Sequence, residues 1–215
     1  MNLNESFADW QNNIPKINLN TTIDYVLTGK NINSIEPSKE LLNYIHKETE
    51  GDNLNILDFG CGVCRNVIFL SESLPKSNIY GYDNDPMLDR GRELTITKYN
   101  KNLDNIPNVH LSSNWNWVKQ QKFDLIYATL VFQHIPEPIL TQYLTDIKSM
   151  TNTLLVAGRR FNDEINANLI NNDYPYNQKN TWQILENNGL KPYFCNKEYS
   201  VDGDPHGDFL CLYKI

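Results

Sequence analysis

Hydrophobic positions in this chain come in two rhythms: short dense runs, and longer stretches where apolar residues recur every three or four positions. The dense runs cover residues 55–59, 78–83, 109–111, 122–130 and 153–157. Each is rich in β-branched, leucine or aromatic residues and bounded by turn formers, so each predicts a strand. The run 122–130, interrupted only by Asp124 and Thr129, has the character of a central parallel strand buried on both faces. Helical spacing fills the intervals. Ser38 is placed to cap a helix reaching about residue 48, with Leu41, Leu42, Tyr44 and Ile45 inward. Val63, Val67, Leu70 and Leu74 predict a second helix that begins at Val63 and stops before Pro75. Pro86 opens a third to about residue 100, with Gly91 inside it. Glycine is costly in that setting, so Gly91 marks a close approach to another element. Pro136 and Pro138 start the clearest amphipathic helix, with Ile139, Leu140, Tyr143, Leu144, Ile147 and Met150 on one face. A last helix near 180–188 ends at Gly189.

Two further strands, at about 191–201 and 208–214, flank the turn D-G-D-P-H-G-D and predict an antiparallel hairpin. The alternation implies an α/β fold. We expect an open seven-stranded, mainly parallel sheet with helices on both faces and an antiparallel C-terminal hairpin. Residues 1–36 are polar and lack a long periodic pattern, which suits an N-terminal arm or lid before a domain spanning 37–215. Residues 161–177 form a polar stretch long enough to be a functional loop.

The candidate chemistry begins at N-I-L-D-F-G-C-G-V-C-R-N, residues 55–66. A strand, a glycine turn and a helix start make a nucleotide-cradling sequence, because glycines admit close backbone approach and a helix N-terminus offers free N–H groups. Asp58 at the strand end repels a pyrophosphate but suits an ammonium or a bound water. The ligand implied is nucleoside-like and partly cationic. This stretch resembles the first motif of the class I S-adenosylmethionine-dependent methyltransferases, with Asp58, Gly60, Cys61 and Gly62 in place and Cys64 where a third glycine is usual. Cysteine is small, so close helix-to-strand packing is expected to survive.

Asp83 ends the next strand a little over twenty residues beyond the glycines, where a neighbouring parallel strand returns an acid to the ribose hydroxyls. The resemblance also places Arg65 and Asn84 at the cofactor. At the third strand it puts Asn114 in the position of an acid that reads the adenine amine, with Trp115 or Trp117 against the ring. Ala128, Thr129 and Leu130, at the fourth strand's carboxyl end, are expected beside the methionine arm. His134 follows and is the candidate general base for the methyl acceptor, with a purely structural role as the alternative. His206 is a weaker candidate, and Arg159 and Arg160 either anchor an acidic substrate or face solvent. The resemblance implies a lid role for residues 1–36.

Composition narrows the partners. At 215 residues the chain suits one domain with a sizeable core. A net charge of −7 without a Lys/Arg block argues against nucleic acid, leaving a small-molecule acceptor favoured and a protein acceptor open. No signal peptide or bilayer-length apolar run is visible, so a cytoplasmic protein without membrane partners is expected. Cys61 and Cys64 form a C-x-x-C, but Cys195 and Cys211 are too far apart in sequence to complete a four-cysteine zinc pattern; no metal is expected. Two rival functions stand beside methyl transfer. One is a non-catalytic, S-adenosylmethionine-binding regulatory module. The other is a NAD-binding Rossmann oxidoreductase, which fits poorly because Arg65 occupies its last glycine position.

Overall fold

The dense apolar runs become the strands of one seven-stranded sheet, in the order β3-β2-β1-β4-β5-β7-β6. The computed structural model describes residues 39–48, 51, 53–159, 181–196 and 208–215. The strands are β1 Asn55–Phe59, β2 Asn78–Tyr82, β3 Val109–Ser112, β4 Leu125–Thr129, β5 Thr153–Arg159, β6 Pro192–Asn196 and β7 Asp208–Lys214. The α-helices are α1 Lys39–Glu48, α2 Arg65–Ser73, α3 Asp85–Tyr99, α4 Trp115–Val118, α5 Glu137–Met150 and α6 Thr181–Asn187. Residues 1–36, Ser38, Arg160, the loop 161–177, the strand extension 197–201 and His206 lie outside the described residues. By contacts, the chain forms two compact units that divide between Ile126 and Tyr127.

In the unit ending at Ile126, β1, β2 and β3 run parallel, with Ile56 opposite Ile79 and Ile79 opposite Val109. Ile56, Leu57, Phe59, Val67, Leu70 and Ile79 are buried, so both the strand run and the helical face of α2 contribute to one core. Asp124, which interrupts the apolar run before β4, has a structural task. Its carboxylate accepts from Asn55 N at 2.8 Å and its own N–H donates to Asn55 O at 2.9 Å, which anchors the start of β1. Asn108 donates to the carbonyls of Ser71 and Ser77 at 3.2 and 3.0 Å, tying the approach to β3 to the end of α2.

The helix after the glycine turn begins at Arg65 rather than Val63. Gly62 and Cys64 both have positive φ, 55° and 66°, so the chain enters helical geometry only after Cys64. At α3, Asn84 is the cap: its side chain accepts from Met87 N at 3.0 Å, and Pro86 sits in the first turn.

In the unit from Tyr127, β5 and β7 pair antiparallel from Thr153↔Lys214 to Arg159↔Asp208, and β6 pairs antiparallel with β7. Cys195 and Cys211 face each other across β6 and β7 and are joined as a disulfide, Cα to Cα 4.0 Å. Leu140, Leu144, Ile147 and Met150 of α5 are buried, the face the spacing predicted. At the end of α6, Gly189 adopts φ 80°, and Leu190 N donates to Leu185 O at 3.1 Å. Glycine is required there because an L side chain pays for that backbone.

Candidate active site

Three alternating residues shape the turn after β1. Gly60, Gly62 and Cys64 have φ of 74°, 55° and 66°. The third glycine position of the motif is therefore a demand on backbone conformation, and not only on side-chain size. Cys64 meets it in the left-handed region, at a cost of about 1–2 kcal/mol for a residue with a Cβ. The first turn of the loop is held by β2: Gly60 N and Cys61 N both donate to Tyr82 O, at 2.8 and 3.0 Å.

Asp83, immediately after β2, completes the cradle. One carboxylate oxygen accepts from Gly62 N at 2.8 Å and the other from Asn84 N at 2.7 Å. Each oxygen retains a second lone-pair direction, which is what a pair of vicinal hydroxyls requires. Burial raises the Asp83 pKa to about 6, against the opposing pull of those two amide hydrogen bonds. Asp58, in register with Gly81, is 2% exposed.

Cys61 reports how closely the acids converge. Its thiol is raised well above its ordinary pKa, first by burial, then by Cys64, Asp83 and Asp58. Two carboxylates acting on one buried thiol make a negative, hydrogen-bonding environment suited to a cationic ligand bearing hydroxyls. The thiol itself is held neutral and so lacks the character of a reactive cysteine. Its place is steric. A Cβ added at Gly81 would come within 3.0 Å of Cys61 Sγ, 2.7 Å of Leu111 Cδ2 and 3.1 Å of Val67 Cγ2. Gly81 thus leaves the space that the Cys61 thiol fills. Cys61 and Cys64 are free, with Sγ atoms 3.9 Å apart. Among the described residues no group of three or more His, Cys, Asp and Glu is arranged to hold a metal.

The aromatic neighbours stand at the edge of the same unit. Trp115 packs edge-on to Phe59 with ring centroids 5.4 Å apart and lies 4.9 Å from Tyr82. Trp117 is more exposed, 6.2 Å from Tyr80. Asn114 caps α4, its side-chain oxygen accepting from Trp117 N at 3.2 Å. Of that oxygen's two lone pairs, one is committed to the cap and one is left for a ligand amine. Arg65 is half-buried at the start of α2, and Asn66 beside it has a buried Oδ1 with no hydrogen-bond partner.

The remaining candidates belong to the other unit. Ala128 is buried on β4, and Thr129 ends the strand with its Oγ1 buried and without a hydrogen-bond partner. Leu130 adopts φ 58°, a strained conformation for a leucine, while its N–H donates to Ala157 O at 2.8 Å. His134 is half-buried at the end of a short 3₁₀ turn, its N–H donating to Val131 O at 2.9 Å.

The structure thus joins Gly62, Asp83 and Asn84 through hydrogen bonds, ties Gly60 and Cys61 to the Tyr82 carbonyl, sets Asp58 beside Gly81, and brings Trp115 against Phe59 and Tyr82. Sequence reasoning passed over the Tyr82 carbonyl, Gly81 and Asn66. A glycine inside the β2 run was a readable signal of close approach for Gly81; the carbonyl and the buried Asn66 Oδ1 leave none.

Residues 57–152 match the model of a family described as a methyltransferase domain. No curated protein matches the chain in sequence. Among solved structures, the chain is similar to magnesium protoporphyrin IX methyltransferase from Synechocystis PCC 6803, solved with bound S-adenosylmethionine. The TM-score is 0.66 at 11% identity, covering 97% of this chain and 96% of that one. An S-adenosylmethionine-dependent methyltransferase from Aquifex aeolicus gives 0.59 at 17% identity, covering 95% and 98%. The pyocyanin biosynthetic protein PhzM gives 0.62 at 11% identity, covering 95% of this chain and 61% of that one. Residues 57–152 are thus similar to a methyltransferase domain, and the fold is the one seen in these S-adenosylmethionine-dependent methyltransferases.

Proposed function

We propose that this protein transfers a methyl group from S-adenosylmethionine to a small-molecule acceptor, with the cofactor's ribose on Asp83 and its backbone along the glycine turn. The observation that carries the reading is the Asp83 carboxylate, gripped by the Gly62 and Asn84 amides and still able to accept from two hydroxyls. The buried Asp58 and the negative surroundings of Cys61 suit the cationic end of such a ligand. Trp115 supplies an apolar edge for the base, and Asn114 an acceptor for its amine. A NAD-dependent oxidoreductase is disfavoured by Asp58, which would repel a pyrophosphate, and by Arg65 at its last glycine position.

When bound, S-adenosylmethionine supplies an electrophilic methyl on a sulfonium. What remains for the chain is to hold the acceptor in line and to exclude water, and positioning of that kind provides most of the acceleration. In this reading Ala128, Thr129 and Leu130 border the methionine arm. The unpartnered Thr129 hydroxyl is a ready hydrogen-bonding group, and the strained Leu130 peptide is the kind of backbone that functional sites retain. His134 removes the proton of an oxygen or nitrogen acceptor. Residues 37–215 form the methyltransferase domain, and residues 1–36 form an arm or lid over the acceptor.

Small acceptors are favoured because the solved relatives include enzymes whose names state such substrates, magnesium protoporphyrin IX and mitomycin. A protein acceptor is the alternative. The net charge of −7 disfavours nucleic acid. Among the described residues no helix is long and apolar enough to cross a membrane. A cytoplasmic location accords with the free, buried Cys61 and Cys64 but not with the Cys195–Cys211 disulfide, since disulfides persist in oxidising compartments.

The test pairs binding with turnover. S-adenosylmethionine and S-adenosylhomocysteine should raise the melting temperature while NAD does not, ligand at a hundred times its dissociation constant adding about 2.7 kcal/mol. Release of S-adenosylhomocysteine with an acceptor panel separates an enzyme from a cofactor-binding regulator. Stabilisation by NAD alone would defeat the proposal.

A further inference from the structure

We propose that Gly91, in the second turn of α3, is a positioning residue for cofactor binding: it lets α3 bear directly on the backbone of Val63 and so keeps the Gly62 amide against Asp83. This rests on the reading of the glycine turn and Asp83 as the cofactor cradle.

A Cβ added at Gly91 would lie 3.0 Å from Val63 C, 3.1 Å from Val63 O and 3.2 Å from Val63 Cα. All three are main-chain atoms, so no rotamer change can relieve the contact. Either the helix or the glycine turn must give by a few tenths of an ångström. The face of α3 that meets Val63 is formed by Met87, Gly91 and Leu94, at positions i, i+4 and i+7, and Met87 and Leu94 pack with the Val63 side chain. Glycine stands at the centre of that face, where the backbone docks. Thr95, buried, donates to Gly91 O at 2.6 Å and fixes the same turn of the helix.

The geometry links this contact to the acid. Val63 directly follows Gly62, whose N–H donates to Asp83 at 2.8 Å. α3 begins at Asp85, two residues beyond Asp83, and Asn84 both caps the helix and donates its N–H to Asp83. One rigid helix therefore carries the carboxylate at its N-terminal end and bears on the turn that supplies the opposing amide. Moving Val63 away from α3 lengthens the Gly62–Asp83 hydrogen bond. Glycine is the poorest helix former after proline, and a residue kept for local helix stability would have a side chain here.

The experiment is calorimetry with S-adenosylhomocysteine across pH 5–8 on the unaltered protein, Gly91→Ala, Leu103→Ala and Gly91→Ala/Val63→Ala. Gly91→Ala should weaken binding about tenfold, the scale of a lost hydrogen bond to a charged group. It should also shift the pH midpoint of affinity upward from about 6, because burial of Asp83 is then less opposed. Cys61, the titratable group beside Asp83 with Asp58 and Cys64 around it, stays protonated in this window. Removing the Val63 side chain should not restore affinity, since the crowding is with main chain. Leu103→Ala, at a buried position outside that face, should lower the melting temperature yet bind within about threefold of the parent, because the Gly91–Val63 contact remains. Unchanged affinity and midpoint in Gly91→Ala, rescue by Val63→Ala, or a tenfold loss in Leu103→Ala would each overturn the proposal. The last decides even if Gly91→Ala fails to fold. Absence of binding by the unaltered protein would instead overturn the cradle reading, and the proposal with it.

Discussion

Cys64 offers a way to weigh backbone strain in the glycine turn. Its φ of 66° lies in the left-handed region, where a side chain costs about 1–2 kcal/mol and glycine nothing. The residue is fully buried, so any replacement also loses sulfur contacts. Comparing Cys64→Gly with Cys64→Ala removes the thiol in both and isolates the backbone. Glycine gains the relief of about 1–2 kcal/mol and loses about 0.5–1 kcal/mol through its freer unfolded chain. At the midpoints of those ranges, the difference predicts Cys64→Gly more stable than Cys64→Ala by about 0.75 kcal/mol. At an ordinary helical position the order is reversed. Against the parent, the alanine variant should fall by about 1 kcal/mol and the glycine variant should stay close to it. Urea denaturation followed by circular dichroism resolves this, provided the slope of free energy against urea is common to all three. If Cys64→Ala proves as stable as Cys64→Gly, the turn does not need a left-handed residue there, and the account of the motif fails.

Two further outcomes follow from the titrating groups. Asp83 is raised from 3.8 to about 6 by burial, so its contribution to folding stability is fully present below 3.8 and is lost as pH rises through 6. Under the proposed cradle, cofactor binding has the opposite sign, because ribose hydroxyls would donate to the charged carboxylate: affinity should climb as pH passes 6 and level off near pH 7–8, and a flat calorimetric profile from pH 5 to 8 would contradict it. For His134→Ala, turnover should fall about a hundredfold or more while cofactor affinity stays within a factor of a few, since base catalysis contributes about 10²–10⁴; equal losses in melting temperature, binding and turnover would make the residue structural.

Strand and helix placement were largely legible because buried runs and helical spacing are local patterns, whereas the strand order is seen only in the structure. Gly91 was legible as a glycine out of place in a helix, and the structure supplies its partner, the Val63 main chain. Asp83 was legible from its distance to the glycines. What stayed hidden depends on geometry that no local pattern encodes. Cys64 reads as a small residue, and only the dihedral shows that it takes a glycine's conformation, which also moves the start of α2 to Arg65. Asp124 reads as an interruption, and only the strand ends show that it anchors Asn55. The Cys195–Cys211 pairing depends on the register of β6 and β7, which spacing alone does not determine. Asn84 rather than Asp85 caps α3, a choice between adjacent cap formers that turns on one backbone dihedral, the extended ψ of 156° at Asn84.

The central claim is that the glycine turn and Asp83 form a cofactor cradle, and one comparison addresses it directly. S-adenosylhomocysteine binding should be measured by calorimetry at pH 8 for the parent and for Asp83→Ala, with circular dichroism confirming that both are folded. The parent should bind. Asp83→Ala should lose about 1.5–3 kcal/mol, a factor of roughly 10–150, as charge-assisted hydrogen bonds to the ribose disappear. Equal affinity in the two folded proteins would contradict the account and place the cofactor elsewhere.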